Sequence, residues 1–133
     1  MTGDQARLIQ AVVAGLGADA AAKALLGDPV RIWDEPPRGA AFPHVQIGRC
    51  DSRSLRGEGG AVEHQLVLTG VSRFAGMEEA RAVGAVVEDV LGRLALEGGG
   101  LVSCEVRSVT VSRSRDLGRA WAVMRVRAVT DGA

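Results

Sequence analysis

Near the start of the chain, apolar residues recur at helical spacing. They are Leu8, Ile9, Val12, Val13 and Leu16. Steps of three and four residues place them on one side of a helix, which predicts that this side packs against a core. The glycines at 15 and 17 weaken that helix. Asp19 is suited to cap a second helical piece, which Gly27 ends. We therefore predict helical structure from about Asp4 to Leu26, broken near residues 15–18.

A second helical pattern lies between Met77 and Leu96. Its apolar members are Ala80, Val83, Val87, Val90, Leu91 and Leu94. Glu78 and Glu79 stand in the first turn, where the helix dipole favours negative charge. Three glycines at 98–100 are expected to end the helix. The valine face of this helix is predicted to pack on a sheet.

The remaining apolar residues follow patterns typical of strands. Two short runs joined by a proline-stiffened turn lie within Val30–Gly48, and a long run spans Val62–Ser72. Cys104–Arg113 and Arg119–Thr130 form a predicted hairpin. The order of these elements predicts an α+β fold in a single domain over residues 1–133. We expect an antiparallel sheet of about four to five strands with helices packed on one face.

A polar segment at residues 49–60 separates two of the predicted strands. Hairpin loops usually have two to five residues, so a connection of this length indicates either a mobile loop or one with a function. Arg49, Arg53, Leu55 and Arg56 suit an arm that grips a neighbouring molecule. A mobile loop in the free monomer is an equally compatible interpretation. Both hold if the arm orders only on assembly.

Composition excludes several classes of function. The 133 residues carry 16 basic and 16 acidic side chains, so no overall field favours nucleic acid or an anionic membrane. Tyrosine is absent and aromatic residues are scarce, which argues against a platform for stacking bases. Charged residues interrupt every apolar stretch before it reaches the length needed to span a bilayer. Without a signal peptide pattern, we expect assembly in a reducing cytoplasm.

The residues that could carry chemistry do not form a convincing site. His44 and Cys50 are the closest His/Cys grouping, and a nucleophilic pair made from them is conceivable. We favour a partly buried histidine and ordinary thiols at Cys50 and Cys104. The glycine runs at 57–60 and 98–100 precede strands rather than helices, so they do not fit a phosphate-binding loop. We predict no catalysis, no cofactor and no metal.

One family does share the pattern of turns and apolar positions found here. The segment Val30–Gly48 combines a short strand ending in Asp-Glu-Pro-Pro with a second strand that opens with Phe42-Pro43. A helical preamble that ends at Leu25-Leu26-Gly27-Asp28 precedes it. The polar segment, the long strand, the helix rich in Glu, Ala and Val and the two closing strands follow. This arrangement resembles the tail-completion, or tail-terminator, proteins of long-tailed phages and gene transfer agents.

The resemblance implies a structural role in head-tail joining. Members of that family form rings, hexamers in known relatives, which end tail-tube polymerisation at the head-proximal end. The implied partners are further copies of the chain, the major tail tube protein and a stopper or adaptor protein on the head side. DNA would only pass through the lumen, and no membrane is involved. The resemblance also implies that the protein lies in the tail or neck of a particle that is assembled in the bacterial cytoplasm.

Charge distribution suggests which residues meet in such a ring. The C-terminal hairpin is rich in arginine with few nearby carboxylates, whereas the central helix is acidic. Arginine forks engage carboxylates well, so a head-to-tail ring could pair the two surfaces. With the arm at 49–60, the predicted interface residues are Arg49, Arg53, Leu55, Arg56, Glu78, Glu88, Arg113, Arg115, Arg125 and Arg127.

Three alternatives stay open at this point. Another neck component, an adaptor or a stopper, would have a similar size. A small cytoplasmic enzyme would use Cys50 and His44. A ligand-binding α+β domain would have a pocket between the helix at 77–96 and the sheet.

Overall fold

The chain folds as two layers, a sheet and the helices that cover one of its faces. The computed structural model describes residues 2–55, 60–73, 77–96 and 99–131. Its elements are α1 (Thr2–Ala18), α2 (Ala20–Leu26), β1 (Ile32–Trp33), β2 (His44–Ser54), β3 (Ala61–Ser72), α3 (Glu78–Leu91), β4 (Leu101–Ser114) and β5 (Arg119–Asp131). The five strands lie in the order β1-β2-β3-β5-β4. Every pairing is antiparallel except that of β1 with β2. The predicted α+β class is confirmed.

The break in the N-terminal helix is also confirmed. α1 and α2 meet at an angle of 87°. At the junction the Asp19 carboxylate accepts a hydrogen bond of 3.0 Å from the Ala22 N–H, which satisfies one donor at the start of α2. Gly27 ends α2 with a φ of 91°, in the region where glycine is favoured. The bend lets Leu8, Leu16 and Leu26 all reach the same buried core.

α3 lies very close to the sheet, with the predicted valine face inward. Val83 and Val87 are fully buried. A Cβ atom added at Gly70 of β3 would lie only 2.6 Å from Val83 Cγ1, and one added at Gly84 would lie 3.2 Å from Val109 Cγ1. Glycines on both surfaces therefore permit the approach. Their packing leaves no room there for the pocket that the ligand-binding alternative requires.

The end of α3 differs from the prediction. The helix ends at Leu91 rather than Leu96, since the chain turns at Gly92 and Arg93. Leaving the helix brings Leu94 against α1, where a Cβ atom at Gly15 would come within 2.8 Å of Leu94 Cδ1. The apolar residues beyond Leu91 thus pack outside the helical period.

The prediction of a long polar loop at residues 49–60 is wrong for the first half of that segment. β2 continues to Ser54 and pairs with β3 as far as Val62. A register shift between Ile47 and Cys50 carries the strand past Gly48. Beyond it the residues are mostly exposed. This stretch is polar because it lies at a solvated sheet edge, not because it leaves the sheet. Arg56 and the glycines at 57 and 59 lie outside the described residues.

Within the described residues, no single helix is long and apolar enough to cross a membrane. α1 and α2 together reach that length and composition, but only across their sharp bend.

Candidate assembly surface

The helices cover one face of the sheet and leave the other open. Along β5 the side chains alternate, so that Ala120, Ala122, Met124, Val126 and Ala128 are buried beneath the helices. The side chains between them, such as Trp121, Val123 and Arg125, point to the opposite side and are only partly buried or exposed. We call this second side the outer face.

Glu63 organises the charges at one end of the outer face. Its carboxylate accepts hydrogen bonds from Arg53 at 2.7 Å and from Arg127 at 2.6 Å. These two guanidinium groups hold the pKa of Glu63 below its ordinary value, Arg53 having the larger effect. The Glu63 side chain is only 6% exposed, whereas that of Arg53 is 72% exposed. A buried anion therefore fixes two arginines that other molecules can reach.

A shallow polar depression of about 450 Å³ lies next to this cluster. Arg107 and Arg125 line it from β4 and β5, and Asp51 and Gln65 line it from β2 and β3. It spans most of the width of the sheet and is open to solvent. Such a surface suits a protein partner better than an enclosed small molecule.

The chain between β1 and β2 covers the other end of the outer face. The Phe42 ring lies against the guanidinium groups of Arg73 and Arg119, with distances of 4.8 and 5.1 Å from Cζ to the ring centroid. His44 packs beside the same ring, at 5.0 Å between centroids. Its Nδ1–H donates to the Ala41 carbonyl at 3.0 Å, while the Gln46 amide donates to Nε2. The Arg119 guanidinium therefore already has a contact within its own chain.

The predicted interface residues fall on different parts of the molecule. Arg53 and Arg127 meet at Glu63, Arg125 lies beside them, and Arg49 pairs with Asp51 at 2.8 Å. Arg113 and Arg115 lie at the end of β4 and in the turn after it, and Leu55 directly follows β2. Glu78 and Glu88 are exposed on α3, in the other layer. The structure therefore groups the arginines of β2 and β5 and leaves the acidic helix apart from them.

The premise that the hairpin arginines lack partners in their own chain needs correction. Arg127 pairs with Glu63, Arg107 lies 3.4 Å from Glu105, and Arg119 contacts Phe42. The sequence could not show the Arg127 pair because Glu63 is far away along the chain. It becomes a neighbour only through the pairing of β3 with β5.

A chain of hydrogen bonds that sequence reasoning missed joins α1 to the sheet. The Gln5 amide donates to Ser52 Oγ at 2.6 Å. The Ser52 hydroxyl donates to His64 Nδ1, also at 2.6 Å, because the single proton of the neutral ring is on Nε2. His64 Nε2–H then donates to Thr130 Oγ1 at 2.9 Å, and the Thr130 hydroxyl donates to Asp4 at 3.2 Å. This directional chain fixes which nitrogen of His64 carries the proton.

The Ser52–His64 contact looks like a nucleophile with its base, but its surroundings indicate a structural role. His64 and Thr130 are fully buried, and the Gln5 amide occupies the Ser52 oxygen. Burial lowers the pKa of His64, which keeps the ring neutral. Polar residues at the start of α1 were the only hint in the sequence. Only the tertiary fold shows what they bind.

The Cys/His pair of the enzyme alternative does not form. Both nitrogens of His44 are bonded to other groups, as described above. Burial raises the pKa of Cys50, and it raises that of Cys104 to about 11, so both thiols stay protonated near neutral pH. β3 and β5 separate the strands that carry the two cysteines, a distance of roughly 14 Å that no disulfide can span. The described residues include no cluster of metal-ligating side chains.

We expect both cysteines to be dispensable. A Cys50→Ser/Cys104→Ser variant should fold and assemble like the wild type, with a modest loss of stability from the two partly buried positions. In the wild-type protein, alkylation by iodoacetamide at pH 8 should be slower than for an unburied cysteine peptide, because raised pKa values deplete the reactive thiolate. Rapid alkylation, or a folded double variant that has lost its function, would favour the enzyme alternative.

The helices thus lie on one face of the sheet, and the other face is open and carries the charged cluster around Glu63. The family model for the tail completion protein gp17 matches residues 10–131. The chain therefore belongs to the tail completion protein gp17 family and is a structural protein of phage-like tails. No curated protein matches it. Among solved structures, it is similar to a chain in the virion of a native gene transfer agent particle, at 29% identity. The match covers 96% of this chain and 97% of the other, with a TM-score of 0.83.

Proposed function

We propose that this protein forms a ring, with six copies as the family resemblance implies, at the head-proximal end of a tail tube. The ring ends polymerisation of the major tail tube protein and joins the tail to a stopper or adaptor protein of the neck. The family match over residues 10–131 carries this proposal. The similarity to a gene transfer agent chain supports a place in the tail or neck of such a particle or of a phage. Assembly takes place in the bacterial cytoplasm, and DNA passes only through the lumen.

No bond chemistry is needed for this function. Identical subunits related by rotation meet through two different surfaces, and the ring closes when the rotation returns to the first copy. One axial surface of the ring binds the last layer of tube protein. The other axial surface does not reproduce the end of the tube, so no further tube subunit is added there. Growth of the tube stops as a result.

Deletion of the gene tests the function directly. In a strain that produces the particle, we expect filled heads without attached tails, together with tubes of uncontrolled length in electron micrographs. Expression of the wild-type chain from a plasmid should restore normal particles. If the deletion leaves free tails of normal length, the protein does not end polymerisation. That result would instead favour the adaptor or stopper role.

Charge pairing between neighbouring subunits is the alternative to strand pairing as the contact that closes the ring. Arg113, Arg115 and Arg125 are on the arginine-rich hairpin, and Glu78 and Glu88 are exposed on α3. Ion pairs at the rim of an interface mainly affect association rate and salt dependence. Light scattering should therefore report fewer oligomers as ionic strength rises from about 0.1 M to about 1 M, where the Debye length falls from about 10 Å to about 3 Å.

A charge-reversal pair provides the control for this contact. Arg125→Glu alone should weaken the oligomer at low salt, and adding Glu88→Arg should restore part of the loss if the two residues meet. Equal oligomer populations at both ionic strengths would exclude a ring closed mainly by charges. Apolar contacts or strand pairing would then close it.

A further inference from the structure

The sheet has two open edges. β4 forms one edge along its whole length, from Leu101 to Ser114. At the other edge β1 pairs with β2 only at Val45 and Gln46, so β2 beyond Gly48 has no strand beside it. The Cys50 carbonyl accepts a hydrogen bond of 3.1 Å from the Gln5 amide of α1, which leaves Asp51–Ser54 as the part available to another strand. An edge strand presents a row of unpaired N–H and C=O groups, which is a template for another strand. Each copy of the chain therefore offers two such templates.

β4 carries some of the features that protect natural sheet edges, namely the charged residues Glu105, Arg107 and Arg113 and two register shifts, but part of the strand stays open. Its sequence contains neither proline nor lysine. Its exposed apolar residues include Val102 at 66% and Val109 at 38%. Register shifts interrupt its first half, but pairing is regular from Ser108 to Ser114. A long, exposed edge of this kind promotes association of the chain unless a partner covers it.

The open edge of β2 is compatible with β4 in direction and in charge. β2, β3, β5 and β4 alternate in direction, so β4 runs opposite to β2. When rotation repeats the chain head to tail, the neighbour's β2 lies antiparallel to β4, the more stable arrangement. Local pairs such as Arg49–Asp51 and Glu105–Arg107 largely neutralise both edges. No row of like charges opposes the contact.

We propose that β4 of one copy pairs with residues Asp51–Ser54 in β2 of the next copy, so that the sheets of the ring join into one closed barrel. This inference rests on the proposed ring and names the backbone contact that closes it. Closure removes both open edges at once. A closed barrel requires a fixed stagger between neighbouring strands, and this stagger sets the register in which β4 pairs with the neighbour's β2.

Disulfide scanning tests the pairing. In the Cys50→Ser/Cys104→Ser background, Asp51→Cys is combined with one cysteine on β4, replacing Glu105, Ser108, Thr110 or Ser112 in turn. All these positions point to the outer face. Within one chain they are separated by roughly three strand spacings, about 14 Å, so an intramolecular disulfide cannot form. A disulfide between neighbours requires Cα atoms about 4.4–6.8 Å apart.

We expect one β4 position, or two adjacent ones, to give a ladder of covalent oligomers on non-reducing gels. The matched control replaces Asp51→Cys by Gln65→Cys, which is equally exposed but lies one strand inward, directly opposite Asp51. On non-reducing gels that control should run as a single chain with every β4 cysteine, because no disulfide links it to a neighbour. Equal linking by Asp51→Cys and Gln65→Cys would overturn the pairing, as would linking at all β4 positions alike.

Light scattering on the same samples separates the two proposals. Oligomers that form without register-specific linking would overturn strand pairing and leave the ring intact. A chain that stays monomeric and unlinked at all concentrations would overturn both the ring and its contact.

Discussion

Val87→Asp should unfold this protein or bring it close to unfolding at room temperature. Val87 has no exposed surface and lies on the α3 face that packs against the sheet. The glycines at 70 and 84 bring that face so close that water cannot enter beside a new carboxylate. A buried, unpaired charge costs several kcal/mol, a large part of the stability of a small domain. Thermal melting followed by circular dichroism measures the effect.

Ala85→Asp is the matched control on the same helix. Ala85 is exposed, and the substitution adds the same charge at a position where water solvates it. Its melting temperature should stay within a few degrees of the wild type. An unchanged melting temperature for Val87→Asp would show that α3 does not pack on the sheet in this way.

The stability of the fold should decrease as pH falls from about 7 to about 5. Burial lowers the pKa values of both His44 and His64. As pH falls below the ordinary histidine pKa of about 6.5, the unfolded chain therefore binds protons that the folded chain does not. Each histidine then reduces the free energy of unfolding by up to about 1.4 kcal/mol per pH unit. Urea unfolding at several pH values measures this slope.

The carboxylates affect the free energy of unfolding at lower pH, so their contribution can be distinguished from that of the histidines. Hydrogen bonds to arginine lower the pKa values of Glu63 and Asp19, so their stabilisation is lost only as pH falls below the values for free carboxylic acids. In a His44→Gln/His64→Gln variant the slope between pH 7 and 5 should largely disappear, although the stability at pH 7 is lower. A slope that persists in this variant would assign the effect to other groups.

Periodic apolar residues predicted the elements of this fold well. The side chains that an element buries all point to one side of it, so they recur along the sequence at the period of that helix or strand. The valine face of α3 followed from spacing, and the bend near Asp19 followed from the glycines at 15 and 17 and the capping residue. The outer half of β2 did not. A solvated edge strand loses the alternation that reveals a strand, so Asp51 to Ser54 resembled a loop in composition.

The candidate surface was predictable only in part. Arginine content directed attention to the hairpin and to residues 49–54, whose role at an interface stays a prediction. The partners of those arginines depend on strand pairing across long sequence distances, as with Glu63 and Arg127. The cluster at His64 was missed for the same reason. Asp4, Ser52 and Thr130 are unremarkable alone, and only register brings them together.

The hydrogen bonds that run from Gln5 through Ser52, His64 and Thr130 to Asp4 begin and end on the same turn of α1. They form a closed circuit through three strands and one helix, in which every hydroxyl and ring nitrogen has a single assigned direction. The energies of its members are therefore not separable. The first substitution in the circuit leaves buried groups without partners, whereas a second releases groups that are already unsatisfied and costs much less. We therefore expect the polar contacts of α1 with the sheet to respond to substitution as one cooperative unit.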